Sequence, residues 1–392
     1  MGLEEHSQAT HGVTNHTVDI VIIGGGQAGL AAGYYLQRLN RDAGRNGSEP
    51  ALSFAILDAN EHPGGAWQHY WDTLELFSPA AYSSLPGWPM PFWPGPGNPS
   101  AAHVVSYLKA YEERYNLPVH RPIRVLRVQD RPKGGYLTHT DHGTWTSRVV
   151  INATGSWRRP FVPFIPGAAQ FTGTQLHTTD YRSSDQFRGA RVLVVGGGNS
   201  GAQIAADLLP TASAVTWVTR RPPRFLPDEI DGRALFQLAT RHVQGDNDPA
   251  NAGGITALGD IVVTLPIRQA RAAGLLTPTP MFSRFTPTGV QWATGDQRQV
   301  DTVIWCTGFR PDLGHLKSLQ LQKSGATPAT TTHPPTQSQD HPDVFFLGYG
   351  DWCGPASATL LGVGAPARAT ITAAAQQARK YRPQKWSVAS VD

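Results

Sequence analysis

The hydrophobic and polar positions of this chain repeat one local pattern twice. Asp19-Ile20-Val21-Ile22-Ile23 is a short, almost unbroken apolar run that predicts a strand covered on both faces. Leu30, Ala31, Ala32, Tyr34, Tyr35 and Leu36 then continue as a helix with small residues toward a sheet. Arg191 to Val195 predicts a second strand of this kind, and Ala202 to Leu209 a second helix. Further apolar strands are expected at Ser53 to Leu57, Arg148 to Ala153, Val215 to Val218, Val300 to Trp305 and Val344 to Gly348, and Val119 to Val128 alternates as one more. His103 to Tyr115 and Ala356 to Arg379 read as helices. The polar stretches Asn40 to Pro50 and Lys323 to Pro342 predict exposed loops, and residues 1–16 and 380–392 predict loose tails. Residues 233–271 mix helical patches with an Asn/Asp/Gly loop at 245–254 and yield no definite element.

Glycine joins strand to helix in both repeats. In Gly24-Gly25-Gly26-Gln27-Ala28-Gly29, Gly24 allows the tight turn, Gly26 lets the backbone close on a pyrophosphate, and Gly29 permits close helix-to-strand packing. The helix N-terminus adds free N–H groups and a positive dipole end for phosphates. Gly196-Gly197-Gly198-Asn199-Ser200-Gly201 repeats the turn. The strand after the first turn ends at Asp58, which suits ribose hydroxyls, the alternative being a residue that caps a turn. The strand after the second ends in Thr219-Arg220-Arg221, where guanidinium groups suit a 2′-phosphate and so NADPH over NADH; the alternative is a solvated basic turn. Strands closing on Thr154-Gly155 and Thr307-Gly308 answer the two turns. The pattern predicts an α/β fold with two Rossmann-like dinucleotide-binding domains, the second (166–308) inserted in the first (17–165 and 309–385).

Composition narrows the function. In 392 residues the net charge is only +4 and no Lys/Arg run exceeds two, so charge does not call for nucleic acid. Only Cys306 and Cys353 occur, without a CxxC pair, which favours a reducing compartment and speaks against a structural zinc, any metal centre or a redox dithiol. No apolar run approaches the roughly 18 residues of a membrane span, and the polar start lacks an export core, so a cytoplasmic protein without membrane association is expected. Oligomeric state is left open, a homodimer being one option.

Gly64-Gly65-Ala66-Trp67 opens an aromatic, proline-rich segment reaching Pro99, in which Trp67 is either a core anchor or the wall of a planar cofactor beside Gly65. Between the two glycine turns lies Phe171-Thr172-Gly173-Thr174-Gln175-Leu176-His177-Thr178-Thr179-Asp180-Tyr181. Phe171, Gly173, His177 and Tyr181 resemble the identifying pattern of flavin-containing monooxygenases, and the resemblance covers nearly the whole chain. More narrowly, Ala66 to His69, Leu74 to Pro91 and Gly350 to Leu361 resemble the flavin monooxygenases encoded in arsenic-resistance operons.

The resemblance implies FAD on the first turn, including Gln27, and NADPH on the second, including Asn199 and Ser200. Asp351 takes the position that commonly bonds the flavin ribityl chain, and His177 one that supports the inter-domain linker rather than moving protons. Where many members carry an Asn that helps the oxygenated flavin, this chain reads Leu76-Phe77-Ser78-Pro79, so that helper is absent or replaced by Ser78. The implied reaction uses dioxygen and a flavin hydroperoxide to oxygenate a soft nucleophile: a trivalent arsenical, a sulfide or an amine. Two cysteines cannot supply a three-thiol arsenic site within one chain; Cys353, near the flavin segment, could make one transient contact, but a small buried hydrophobe is the favoured reading of this free cysteine. The competing readings are an NADPH-dependent reductase of a disulfide or electron carrier, and a flavin-binding sensor that does not turn over.

Overall fold

The computed structural model describes residues 14–47, 49–227, 261–354 and 356–380. Five parallel strands form the first sheet, in the order Val344–Phe346, Val149–Asn152, Ile20–Ile23, Phe54–Leu57, Val119–His120. Ile20 and Ile22 face one buried cluster, with helix residues Leu30 and Leu36; Val21 and Ile23 face another, with Phe346 and Leu316. Covering on both faces is why the strand reads as an unbroken apolar run.

A second parallel sheet of five strands runs Pro278–Pro280, Ala214–Thr219, Arg191–Val195, Thr302–Trp305, Thr174–His177. All of them fall in sequence between strands Val149–Asn152 and Val344–Phe346 of the first sheet, which is the expected insertion of one dinucleotide unit in another. Trp71, Leu74 and Ala101 of the first unit share a buried cluster with Val192, Ile204 and Ile304 of the second, so an apolar seam joins them.

Several expectations shift. Asn15–Thr17 is a strand parallel to Gly143–Ser147, so the described chain is already ordered into a sheet within the expected tail. The first helix spans Gln27–Asn46 and takes in most of the predicted loop after Asn40. Burial of Ala43 and two bonds from Asn40 to the Leu52 backbone, both 2.9 Å, outweigh the loop-like composition. The expected single strand at 119–128 is two, Val119–His120 in the parallel sheet and Val125–Asp130 in a four-stranded sheet, because Pro122 between them offers no N–H to a ladder. Lys323–Ser324 and Thr327–Pro328 pair antiparallel inside the predicted loop, and the last helix starts only at Gly364 and ends at Lys380. Of the segment 233–271, Leu265–Ala272 is a helix; the predicted loop at 245–254, like the tails 1–13 and 381–392, lies outside the described residues.

Candidate active site

In the first sheet the chain leaves the central strand Ile20–Ile23 toward Phe54–Leu57 on one side and Val149–Asn152 on the other. A crevice must open there, beyond the carboxyl ends of the strands. A cavity of about 520 Å³ occupies it, lined by the glycine turn from Gly24 to Ala28, Asp58, Gly65, Trp67, Thr154 and His315. Gly24 makes its turn at φ +110, and a side chain there would run into the Ala153 carbonyl. A Cβ on Gly29 would collide with the Gly24 carbonyl, as one on Gly201 would with that of Gly196, so both helices sit directly on their turns.

Gly26, which caps the first helix, is extended and gives it no side-chain cap, and no acid stands in the first turn. The first N–H groups therefore face the cavity unsatisfied. A Cβ on Gly26 would meet only the Gly65 Cα, at 3.7 Å, so nothing fills the space before the helix. These features fit a diphosphate. Gln27 accepts from Trp67 Nε1 at 2.8 Å and donates to the Ala358 carbonyl at 2.7 Å, which fixes the indole at the cavity wall. Asp58 is buried; one carboxylate oxygen takes Arg121 Nε at 2.8 Å and the other takes both N–H groups of Asn60 at 3.2 and 3.0 Å. A carboxylate accepts about four bonds, so one direction is left for a ribose hydroxyl. Arg121 also forks onto Glu112 at 2.6 and 2.7 Å.

The second helix, Asn199–Leu208, starts at Gly198 in the same way, extended and without a side-chain cap. A second cavity, of about 350 Å³, opens at that end, lined by Gly198, Asn199, Ser200, Gln203, Cys306 and Phe77 among others. Trp67, Tyr70 and Phe309 line both cavities, so a ligand on either turn reaches the same aromatic wall. Tyr70 packs on Trp157 at 4.5 Å and Trp157 stacks on Phe309 at 5.3 Å. Burial pushes the Tyr70 phenol up to about 12, and burial followed by Arg158 and Arg182 holds His69 below its ordinary value.

The structure thus brings Gly24, Gly26, Gln27, Asp58, Gly65 and Trp67 to one cavity, and Gly198, Asn199 and Ser200 to the other. Gly29, Gly196 and Gly201 pack behind the turns. Arg220 and Arg221 are exposed at the end of strand Ala214–Thr219, close to the second turn: the Arg221 carbonyl lies 3.8 Å from where a Gly197 Cβ would sit. Asp351 is exposed and lines neither cavity, whereas Asp312 lines the first. Ser78 lines neither; its hydroxyl meets that of Ser83 at 2.8 Å. His177 also lies behind the wall, 4% exposed, with Nε2 at 3.1 Å from the Gly308 carbonyl.

The identifying motif has a packing explanation. A Cβ on Gly173 would strike the Phe171 ring, which is buried in the second unit's core. Tyr181 is fully buried, donates to Asp207 at 2.5 Å, and meets Trp71 across the seam at 6.1 Å. The cysteines are separated: Cys306 lines the second cavity, whereas Cys353 is fully buried in a different core cluster, as the favoured reading of it as a small buried hydrophobe has it. Burial pushes both thiols up to about 12, away from the reactive thiolate. Sequence reasoning missed Gln203, Tyr70 and Phe309. Gln203 is one helical turn past Asn199 and could have been found by spacing, whereas the Arg121–Asp58 bond joins positions 63 apart and leaves no such signal.

Residues 21–230 match the family described as pyridine nucleotide-disulphide oxidoreductase. A flavin-containing monooxygenase from Stenotrophomonas maltophilia is 44% identical, with a TM-score of 0.80 over 93% of this chain and 99% of that one. An uncharacterized oxidoreductase, CzcO-like, of Geobacillus kaustophilus is 31% identical over 76% of this chain and 82% of its own length. The indole-3-pyruvate monooxygenase YUCCA1 of Oryza sativa is 28% identical over 75% of this chain and 77% of its own length.

Proposed function

From the premise that the chain belongs to the flavin monooxygenase family, whose cofactors are FAD and NADPH, we propose that it oxygenates a small, soft nucleophile such as a sulfide or an amine. The observation that carries this reading is the aromatic wall of Trp67, Tyr70 and Phe309 shared by the two cavities, each of which opens on an uncapped helix N-terminus. FAD supplies activation of dioxygen and NADPH supplies two electrons. The balance is substrate, dioxygen, NADPH and a proton giving oxygenated substrate, NADP⁺ and water.

The residues of this chain bind and orient. The Gly24 to Gly29 turn and the helix behind it would hold the FAD diphosphate, Asp58 the ribose, and Gln27 with Trp67 the near wall; Asp351, assigned to the ribityl chain by resemblance, is exposed and lines neither cavity. The Gly196 to Gly201 turn, with Asn199 and Ser200 at its mouth, holds the NADPH diphosphate, and Arg220 or Arg221 its 2′-phosphate. The apolar lining excludes water from the shared wall. His177 serves as a positioning residue behind Phe309, and Ser78 has no contact with either cavity. A trivalent arsenical fits less well than a sulfide, because Cys353 is sealed in the core and Cys306 alone faces the cavity.

The test is turnover of purified, FAD-loaded protein with NADPH, ¹⁸O-labelled dioxygen and a panel of thioethers, amines and arsenicals. One labelled oxygen atom per product molecule supports the reading. NADPH oxidation that tracks reduction of an added disulfide, with no labelled product, would assign a reductase instead, and no NADPH oxidation would assign a non-catalytic flavin protein.

A further inference from the structure

The hydrogen-bond chain behind the first cavity can run in only one direction. The Asp312 carbonyl can only accept, and Thr154 Oγ1 lies 2.7 Å from it, so the single Thr154 hydroxyl proton is committed there. Thr154 therefore accepts from the Tyr349 hydroxyl at 2.8 Å, and Tyr349, its own proton used, accepts from Asn152 Nδ2 at 2.6 Å. That turns Asn152 Oδ1 toward His315 Nε2, 2.8 Å away, which must donate. Burial pushes His315 down to about 4, so the ring is neutral at neutral pH, and a neutral ring protonated on Nε2 carries a bare lone pair on Nδ1.

His315 lines the first cavity. Its Nδ1 has no hydrogen-bond partner among the described residues, yet it is not one of their sealed, unpartnered polar atoms, so it is open to the space that the residue lines. Asp312 lines the same cavity near enough to act on the imidazole, and its carboxylate likewise has neither hydrogen bond nor ion pair among the described residues. Two adjacent acceptors without donors call for a ligand that brings donors. Sheet order says which part of a dinucleotide lies there. Leu57 and Asn152 are the register partners of Ile23, one on each side of the central strand. Asp58, the glycine turn and His315 over Asn152 thus stand in a row, on strands about 4.8 Å apart. With a diphosphate on the turn and a ribose at Asp58, the part over Asn152 is the sugar chain on the other side of the diphosphate.

We propose that His315 Nδ1, with the Asp312 carboxylate beside it, accepts hydrogen bonds from the hydroxyls of the FAD ribityl chain, the role that resemblance gives to Asp351. The inference rests on the reading of the first cavity as the place of FAD. The tautomer that recognises the cofactor is set by a backbone carbonyl, through Thr154, Tyr349 and Asn152. A carboxylate at this end also repels phosphate, which keeps the diphosphate in register on the glycine turn.

The test is the dissociation constant of FAD, read from flavin fluorescence on dilution of the FAD-loaded protein. His315→Gln keeps a donor for Asn152 but removes the acceptor from the Nδ1 position, and should weaken FAD roughly two- to tenfold with stability near that of the wild type. His315→Asn does the opposite: its Oδ1 stands where Nδ1 was and Asn152 loses its donor, so it should hold FAD like the wild type while losing stability in chemical denaturation. Affinity that follows stability instead would make His315 structural only and overturn the inference. Asp312→Ala, whose backbone carbonyl still serves Thr154, should weaken FAD by a similar factor and is the second handle should both variants at 315 fold poorly. An FAD analogue with a plain five-carbon linker, exchanged into the same proteins, should bind alike to the wild type, His315→Gln and Asp312→Ala; a loss as large as for FAD would set these residues against another part of the cofactor and overturn the inference. Imidazole ¹⁵N spectra of the FAD-loaded protein, assigned by the signal absent from His315→Gln, should show the proton on Nε2, and a proton on Nδ1 would overturn it as well. Gly26→Val reports on the reading beneath: full flavin in that variant removes the first cavity as the flavin site, whereas flavin lost there but indifferent to positions 312 and 315 overturns this inference alone.

Discussion

The His177 imidazole meets the Phe309 ring edge to face, with centroids 5.0 Å apart and planes at 79°. One face of Phe309 is thus backed by the motif histidine while the ring lines both cavities. His177→Ala should remove this support and leave the Gly308 carbonyl without its partner, destabilising the protein by about 1–3 kcal/mol in chemical denaturation. His177→Gln, whose amide nitrogen reaches the Nε2 position, can restore a donor to that carbonyl. Its pH profile of kcat/KM should keep the inflections of the wild type; loss of one inflection would make His177 a proton carrier instead.

Acid should destabilise the fold through its buried histidines. His177 is held below its ordinary value chiefly by burial, and burial pushes His315 down to about 4. Both are neutral when folded and must gain a proton on unfolding in acid. The contribution of His315 is therefore whole above about pH 6.5 and is lost as pH falls toward 4, at about 1.4 kcal/mol per pH unit, and that of His177 is lost in the same direction below its ordinary value. His315→Gln, which can still reach Asn152, should flatten this slope in denaturation series between pH 7 and 4.5.

Gly26 and Gly29 separate cofactor binding from folding. A Cβ at 26 meets only the Gly65 Cα, at ordinary contact distance, so Gly26→Val should fold but its branched side chain should block the cavity, lowering FAD affinity roughly tenfold or more. Alanine at 29 runs into the Gly24 carbonyl, so Gly29→Ala should lose stability as well. Flavin absorbance and melting temperature on both variants check this; full flavin in Gly26→Val would move FAD elsewhere.

Arg220→Ala should raise the Michaelis constant for NADPH far more than for NADH, since only NADPH carries the 2′-phosphate. A lost charge-assisted bond of about 1.5–3 kcal/mol corresponds to roughly a ten- to hundredfold change. Equal losses for both cofactors would transfer the role to Arg221, exposed beside it.

Without substrate, NADPH oxidation should yield hydrogen peroxide at a rate close to its own. Phe77 lines the second cavity but offers no donor, and the Ser78 hydroxyl is held by Ser83. Ser78→Ala should therefore leave the ratio of peroxide to NADPH unchanged in a coupled peroxidase assay. A marked change would bring Ser78 back to the reaction.

The sequence by itself determined the two glycine turns, the strands that feed them and the insertion of one unit in the other. It could do so because these are local patterns: strands covered on both faces are apolar throughout, and only glycine fits a backbone pressed on its neighbour, as Gly24 is on Ala153. It misjudged Asn40 to Asn46, where burial of Ala43 overrode a loop-like composition, and it placed Ser78 by resemblance where the fold gives that hydroxyl to Ser83. Only the tertiary structure decided which side chains share a cavity. Arg121 reaches Asp58, Tyr349 reaches Asn152 and Thr154, and Phe309 joins Trp67 and Tyr70 across long stretches of chain. Such pairings are chosen by packing of whole elements, and no spacing along the chain encodes them.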